Sequence, residues 1–341
     1  MNNKEWFKSA KFGLMIHWGL YSLPAGEWNG KRTPYIGEWA QSYFRIPNRE
    51  YHKLAGIFNP ILFNPEEWVL LAKEAGMQYM VVTAKHHEGF AMYRSRANRF
   101  NLFDATPFKR DAIAEIAEAC YKYGLKLGLY YSQDLDWSDP NGGGYTRGHT
   151  SSKVMSWTND WDFPENDKKN YTLCFENKIK PQVQELLTNF KDLCLIWFDT
   201  PLTISPEQSR ELYDLVKHYQ PNCLVNSRIG NGMGDYKSLG DNQIPENHMP
   251  EGLFECPATL NDTWGYKSFD NNWKDAGKVV FLKNHLNERG INYLLTIRKI
   301  SCSGTGYFAY GRQKNIKYHQ KATDWYSPVC GFLMAELFYF I

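Results

Sequence analysis

Six polar side chains stand at the ends of short apolar runs in this sequence. His17 falls at the end of FGLMIHWG (12–19), His86 and His87 close MQYMVVTAKHH (77–87), Tyr131 closes LKLGLYYS (125–132), Asp199 falls in LCLIWFDT (193–200) and Arg228 closes CLVNSR (223–228). Three imidazoles, a phenol, a carboxylate and a guanidinium arriving from different runs could do two kinds of chemistry. They could surround a small polar ligand with donors and acceptors, with Arg228 supplying the positive charge that keeps a partly buried Asp199 ionised. Alternatively, His17, His86, His87 and Asp199 could ligate zinc in a metal-dependent hydrolase. No H-x-H pair marks the first run, and a metal would leave the aromatic content unexplained.

That content is 12 Trp, 22 Tyr and 20 Phe, or 16% of the chain. Rings with apolar faces and polar tips suit the C–H faces of sugars, although they also suit ordinary cores. Lys+Arg 39 against Asp+Glu 37 gives a net charge of +2 with no block of one sign, which argues against a nucleic-acid groove or an anionic membrane as partner. Seven widely spaced cysteines without a C-x-x-C indicate neither a disulfide framework nor a structural zinc site, and point to a reducing compartment. The opening MNNKEWFKSAKFG has no apolar core of a secretory signal, and no run reaches membrane-spanning length, so a cytoplasmic location is expected.

The elements that must position these residues alternate. Besides the five runs above, LFECPATLN (253–261) and INYLLTI (291–297) read as strands, making seven. Helical signals lie between them. Asn64-Pro65-Glu66-Glu67 opens a helix that Gly76 closes, and Ser205-Pro206-Glu207-Gln208 opens another with Leu212, Leu215, Val216 and Tyr219 on one face. Ile113, Ile116, Ala117 and Cys120 mark a third, which stops at Gly124. Seven strands in an alternating series imply a (β/α)8-like barrel with one strand unmarked, and no phosphate-cradling glycine loop supports a nucleotide-binding sheet instead. In such barrels the carboxyl ends of the strands face the active site, which is where the six polar residues fall.

KFGLMIHWGLYSLP, GEWAQ, VVTAKHHEGFAMY, GLKLGLYYSQDLDW, LIWFDT and LNDTWGY, in this order, resemble the α-L-fucosidases of glycoside hydrolase family 29 from about residue 5 to about residue 297. The resemblance implies a (β/α)8-like barrel, no metal or other cofactor, and release of terminal α-L-fucose with retention through a covalent intermediate on a carboxylate. Fucosylated oligosaccharides or glycoconjugates are the partners it implies.

On this resemblance Asp199 is the nucleophile. The acid/base should come from the segment GDYKSLGDNQIPENHMPEGLFECPATL, with Glu246 the first choice, as a loop carboxylate able to fold over the sugar, and Glu255 the second. His17, His86 and His87 become sugar-binding residues for the cis hydroxyls of fucose, with Glu38 and Trp39 of GEW completing the polar wall. Tyr131 is expected close to the nucleophile, and Trp197 and Trp264 beneath the C5 methyl group, a plain core role for Trp197 being equally compatible.

The barrel is assigned to residues 1–297. Residues 298–341, RKISCSGTGYFAYGRQKNIKYHQKATDWYSPVCGFLMAELFYFI, lack capping signals and end on an apolar run, where the family usually continues into a β-sandwich. Such a tail, if exposed, favours association between chains, and if it disabled the barrel the chain would bind sugar without turnover.

Overall fold

The computed structural model describes residues 3–298; the tail assignment lies outside them. Eight parallel strands run β1 (Phe12–His17), β2 (Tyr79–Lys85), β3 (Lys126–Tyr131), β4 (Leu195–Phe198), β5 (Leu224–Val225), β6 (Lys237–Ser238), β7 (Phe254–Thr259) and β8 (Ile291–Arg298). Each pairs with its neighbour in sequence, and β1 also pairs with β8, the order of a (β/α)8 barrel. The ring closes between β5 and β6 through one bridge, Asn226 to Tyr236, flanked by Asp235 N donating to Val225 O (2.7 Å) and Ser227 N to Tyr236 O (2.9 Å). The strand that the sequence leaves unmarked is β6, only two residues long.

Strand alternation sorts side chains into two layers. Met15, Tyr79, Val81, Tyr130, Leu195 and Trp197 fill the barrel, and the N-terminal helix α1 (Asn3–Ala10) adds Phe7 and Ala10 to the same cluster. Phe12, Leu14, Met80, Val82, Tyr131 and Phe198 point outward to the helices. A side chain on Gly13 would lie 2.3 Å from the Tyr79 ring, so glycine is what lets that ring cross the interior.

The helices follow their capping signals. α2 (Pro65–Glu74) is capped by the Asn64 side chain, which accepts from Glu66 N at 3.2 Å. α3 (Ala112–Tyr123) ends at Gly124, whose φ of +67° is the left-handed cap that glycine adopts without strain. α4 (Lys180–Asn189) packs beside α5 (Pro206–Tyr219), which starts in a full capping box between Ser205 and Gln208. On α5, Leu212 and Val216 are buried and Leu215 packs partly against the core, while Tyr219 lies at the rim and accepts from Gln184 Nε2 at 2.8 Å. α6 (Ala276–Glu288) covers β8.

Candidate active site

A cavity of about 290 Å³ opens at the carboxyl ends of the strands. Its lining includes His17, Glu38, Trp39, His86, His87, Trp197, Asp199, Arg228 and Trp264. Three of the expected residues lie elsewhere. A second depression of about 430 Å³ adjoins the cavity, sharing Ile36 and Met155, and contains none of the expected residues.

Asp199 follows the last residue of β4 and is fixed at both oxygens. Tyr130 donates its hydroxyl to Oδ2 at 2.8 Å, and Arg228 Nη1 donates to Oδ1 at 3.1 Å. The Asp199 N–H donates to Gln133 Oε1 at 2.8 Å, tying the backbone to the loop after β3. The next residue, Thr200, has φ +51°, a left-handed conformation that a β-branched residue adopts at a cost of roughly 1–3 kcal/mol. That turn is held by Asp134, whose Oδ2 accepts from the backbone of Leu202, Thr203 and Ile204 at 2.9, 2.6 and 2.7 Å.

Arg228 stands on the turn after β5, its guanidinium 4.6 Å from the Trp197 ring centre. Nη2 donates to Leu239 O (2.8 Å) and to Asp241 Oδ1, so one guanidinium joins two carboxylates across the cavity. Asp241 is half open to solvent (51%). Partial desolvation pushes its carboxyl above the usual range, Arg228 opposes that rise and the Asp199 charge adds to it.

Both histidines after β2 reach the cavity. The register with β3 shifts between Thr83 and Lys85, breaking the alternation that would send neighbouring side chains to opposite faces. Gly89 (φ +79°) then turns the chain, where a side chain would lie 2.3 Å from Asp136 Oδ1. His87 Nδ1 meets Ser132 Oγ at 2.7 Å, and His17 lies 5.6 Å from Trp264 between ring centres. Burial, reinforced by the neighbouring imidazole of His86, holds His17 and His87 well below the usual histidine range. Both are therefore neutral at pH 7, each ring offering one donor and one acceptor. Glu38 accepts from Gly265 N (2.8 Å) and Thr263 Oγ1 (3.2 Å), and burial raises its carboxyl.

Three expected placements are corrected. Tyr131 points outward and donates to Gln182 Oε1 at 2.8 Å; its neighbour Tyr130 is the phenol beside Asp199. Glu246 is exposed, on a segment packed over α6, where its backbone oxygen accepts from Arg289 Nε at 2.9 Å. Glu255 is fully buried below the cavity, accepting from Tyr79 OH and Trp197 Nε1, both at 2.7 Å. It thus anchors Trp197, which is both cavity floor and barrel core. Asp241, inside the segment that should supply the acid/base, is the carboxylate there that lines the cavity.

Burial pushes Glu255 up to about 7 against its hydrogen bonds, from an ordinary 4.5. A folded-state value above the unfolded one stabilises fully below pH ~4.5 and loses that contribution as pH rises through ~7, about 3 kcal/mol in all. The expected outcome is a Tm that falls more steeply between pH 5 and 7.5 in the wild type than in Glu255→Gln. Parallel slopes in thermal melts would contradict it.

The molecule is therefore a (β/α)8 barrel with an aromatic-walled, carboxylate-bearing site at the carboxyl ends of its strands. The sequence profile described as Alpha-L-fucosidase matches residues 1–317. Tissue alpha-L-fucosidase of Homo sapiens is 35% identical over 319 residues, covering 86% of this chain and 62% of that protein. The Rattus norvegicus protein of the same description is 30% identical over 288 residues, covering 77% and 56%. Among solved structures, alpha-L-fucosidase AlfC from Lactobacillus casei in complex with alpha-L-fucose product is 54% identical, with a TM-score of 0.85 over 88% of this chain and 92% of that one. The chain belongs to the alpha-L-fucosidase family. It spans 56% and 62% of the length of the rat and human relatives.

Proposed function

We propose that this chain hydrolyses terminal α-L-fucosides by double displacement, with Asp199 as nucleophile and Asp241 as acid/base. The observation that carries the reading is the guanidinium shared by the two carboxylates. It ties both carboxylates to one side chain, and a retaining glycosidase needs two carboxyl groups on one glycosidic bond. Asp199, oriented by Tyr130 and Arg228, attacks C1 while Asp241 gives its proton to the departing glycosidic oxygen. Asp241, now ionised, takes a proton from the water that attacks the fucosyl ester, which restores Asp199. The raised carboxyl of Asp241 suits the acid, and Arg228 keeps charge on the nucleophile.

The histidines, Glu38 and the tryptophan rings supply the polar and apolar sides of a hexose site, and fucosylated oligosaccharides or glycoconjugates are the substrates that follow. Among the described residues no group of three His, Cys, Asp or Glu is placed to hold a metal. An aryl α-L-fucoside is expected to be cleaved at an undiminished rate in excess EDTA, with the first-released sugar in the α configuration by NMR. Loss of activity in EDTA that zinc restores, or a β-configured product, would overturn the reading.

A further inference from the structure

Glu88 follows the two cavity histidines and touches no substrate-facing surface: its side chain is 1% exposed. Neither carboxyl oxygen has a hydrogen-bond donor among the described residues. Its nearest charged-capable neighbour is His86 Nδ1, 3.6 Å from Oε2. Around the pair stand the buried phenols of Tyr21, whose ring centre is 5.2 Å from that of His86, and Tyr51, which burial raises first and the Glu88 charge further. The backbone makes room for the carboxylate at Gly19, where a side chain would lie 2.7 Å from Oε1. A buried carboxylate without a cationic partner is costly, and a buried imidazole nitrogen without a partner is costly too. A pair that carries no net charge lowers both costs.

His86 Nδ1 is sealed from solvent and faces Glu88, so Nε2 is the ring nitrogen left for the cavity. In a pair with no net charge, either a protonated Glu88 faces a neutral His86 whose hydrogen is on Nε2, or an ionised Glu88 faces an imidazolium with hydrogen on both nitrogens; Nε2 carries hydrogen in each. We infer that Glu88 is a positioning residue for the sugar site: facing His86 Nδ1 at 3.6 Å in a pair without net charge, it fixes His86 as a hydrogen-bond donor to a fucose oxygen. His86 is thereby set apart from His17 and His87, which have no carboxylate behind them in the hydrogen bonds and ion pairs of the described residues. The inference rests on the fucoside reading above and adds to it the polarity of one contact.

The test is fucose affinity by calorimetry together with kcat/KM on an aryl fucoside. Glu88→Met, of similar size and unable to hold the Nδ1 proton, is expected to weaken fucose binding tenfold or more. Glu88→Gln, whose amide can donate to Nδ1 and leave hydrogen on Nε2, is expected to recover most of that loss. In a His86→Gln background Glu88→Met should cost less than twofold further, because Glu88 acts through His86. Unchanged affinity in Glu88→Met, or the same loss in both backgrounds, overturns the inference. Should Glu88→Met fail to fold, ¹⁵N NMR of histidine-labelled wild type with fucose decides. A protonated Nε2 on His86 supports the inference and a bare one sinks it. Wild type that binds no fucose would sink the fucoside reading itself, whereas binding with an indifferent Glu88 sinks only this step.

Discussion

Asp199→Gly is expected to lower kcat on an aryl α-L-fucoside by at least about a thousandfold, or roughly 4 kcal/mol of transition-state stabilisation. Fucose affinity should stay measurable, because the imidazoles, Glu38 and the tryptophans that line the cavity are untouched. Azide small enough to enter the space left by the carboxyl should attack C1 from the same side and yield a fucosyl azide, restoring part of the rate with a good leaving group. The carboxylate is held at both oxygens, so its loss also frees Tyr130 and Arg228, and Tm must be measured alongside the rate. A variant keeping more than about a tenth of wild-type kcat, with its fold intact, would show that the nucleophile is another group.

Asp241→Asn should divide substrates by their leaving groups. General acid catalysis contributes on the order of 10²–10⁴-fold, and it matters most when the departing alkoxide is poor. A fucosyl disaccharide should therefore slow by at least about a hundredfold. A dinitrophenyl fucoside should show a fast first turnover followed by slow release, since the water that attacks the ester has lost its base. The acid works protonated, so activity falls as pH climbs past its pKa; desolvation raises that value and extends the active range upward. The basic limb of the kcat/KM profile should flatten in Asp241→Asn. Glu246→Gln, at an exposed position outside the cavity, should leave both substrates and the profile as they were. Leaving-group dependence at Glu246 in place of Asp241 would reverse the assignment.

Much of this was legible because barrels put function at strand ends. The apolar runs located seven of eight strands, and His17, Asp199 and Arg228 could be placed on the cavity from position alone. The eighth strand escaped because Lys237–Ser238 is too short and too polar to leave a pattern. The choice between Tyr130 and Tyr131 is hidden in the sequence for a related reason. Leu125, Leu127 and Leu129 alternate with Lys126 and Gly128, but a parallel strand is buried on both faces, so the alternation does not tell which set looks inward; Tyr130 pairs in register with Trp197 and shares its cluster inside the barrel. Glu255 sits at the start of a real strand, and nothing in FECPAT tells that it lies one layer beneath the cavity. No local pattern marks Asp241 within its segment, because its place on the cavity comes with a bond to Arg228, thirteen residues earlier in the chain.

The β5–β6 join has a further meaning. Two dipeptide strands and a single bridge close the ring there, while β1 and β8 share a register six residues long. Arg228 leaves the chain on one side of that join; Leu239 and Asp241 lie on the other, and Asp199 stands on the adjacent strand end. The guanidinium is thus a clasp as well as an electrostatic partner, fastening three strand ends where the sheet itself is thinnest. On the proposed mechanism, chemistry and closure draw on the same few hydrogen bonds, so a sugar seated between Asp199 and Asp241 would occupy the barrel's own fastening, and whatever loosens the fastening also spreads the two carboxylates.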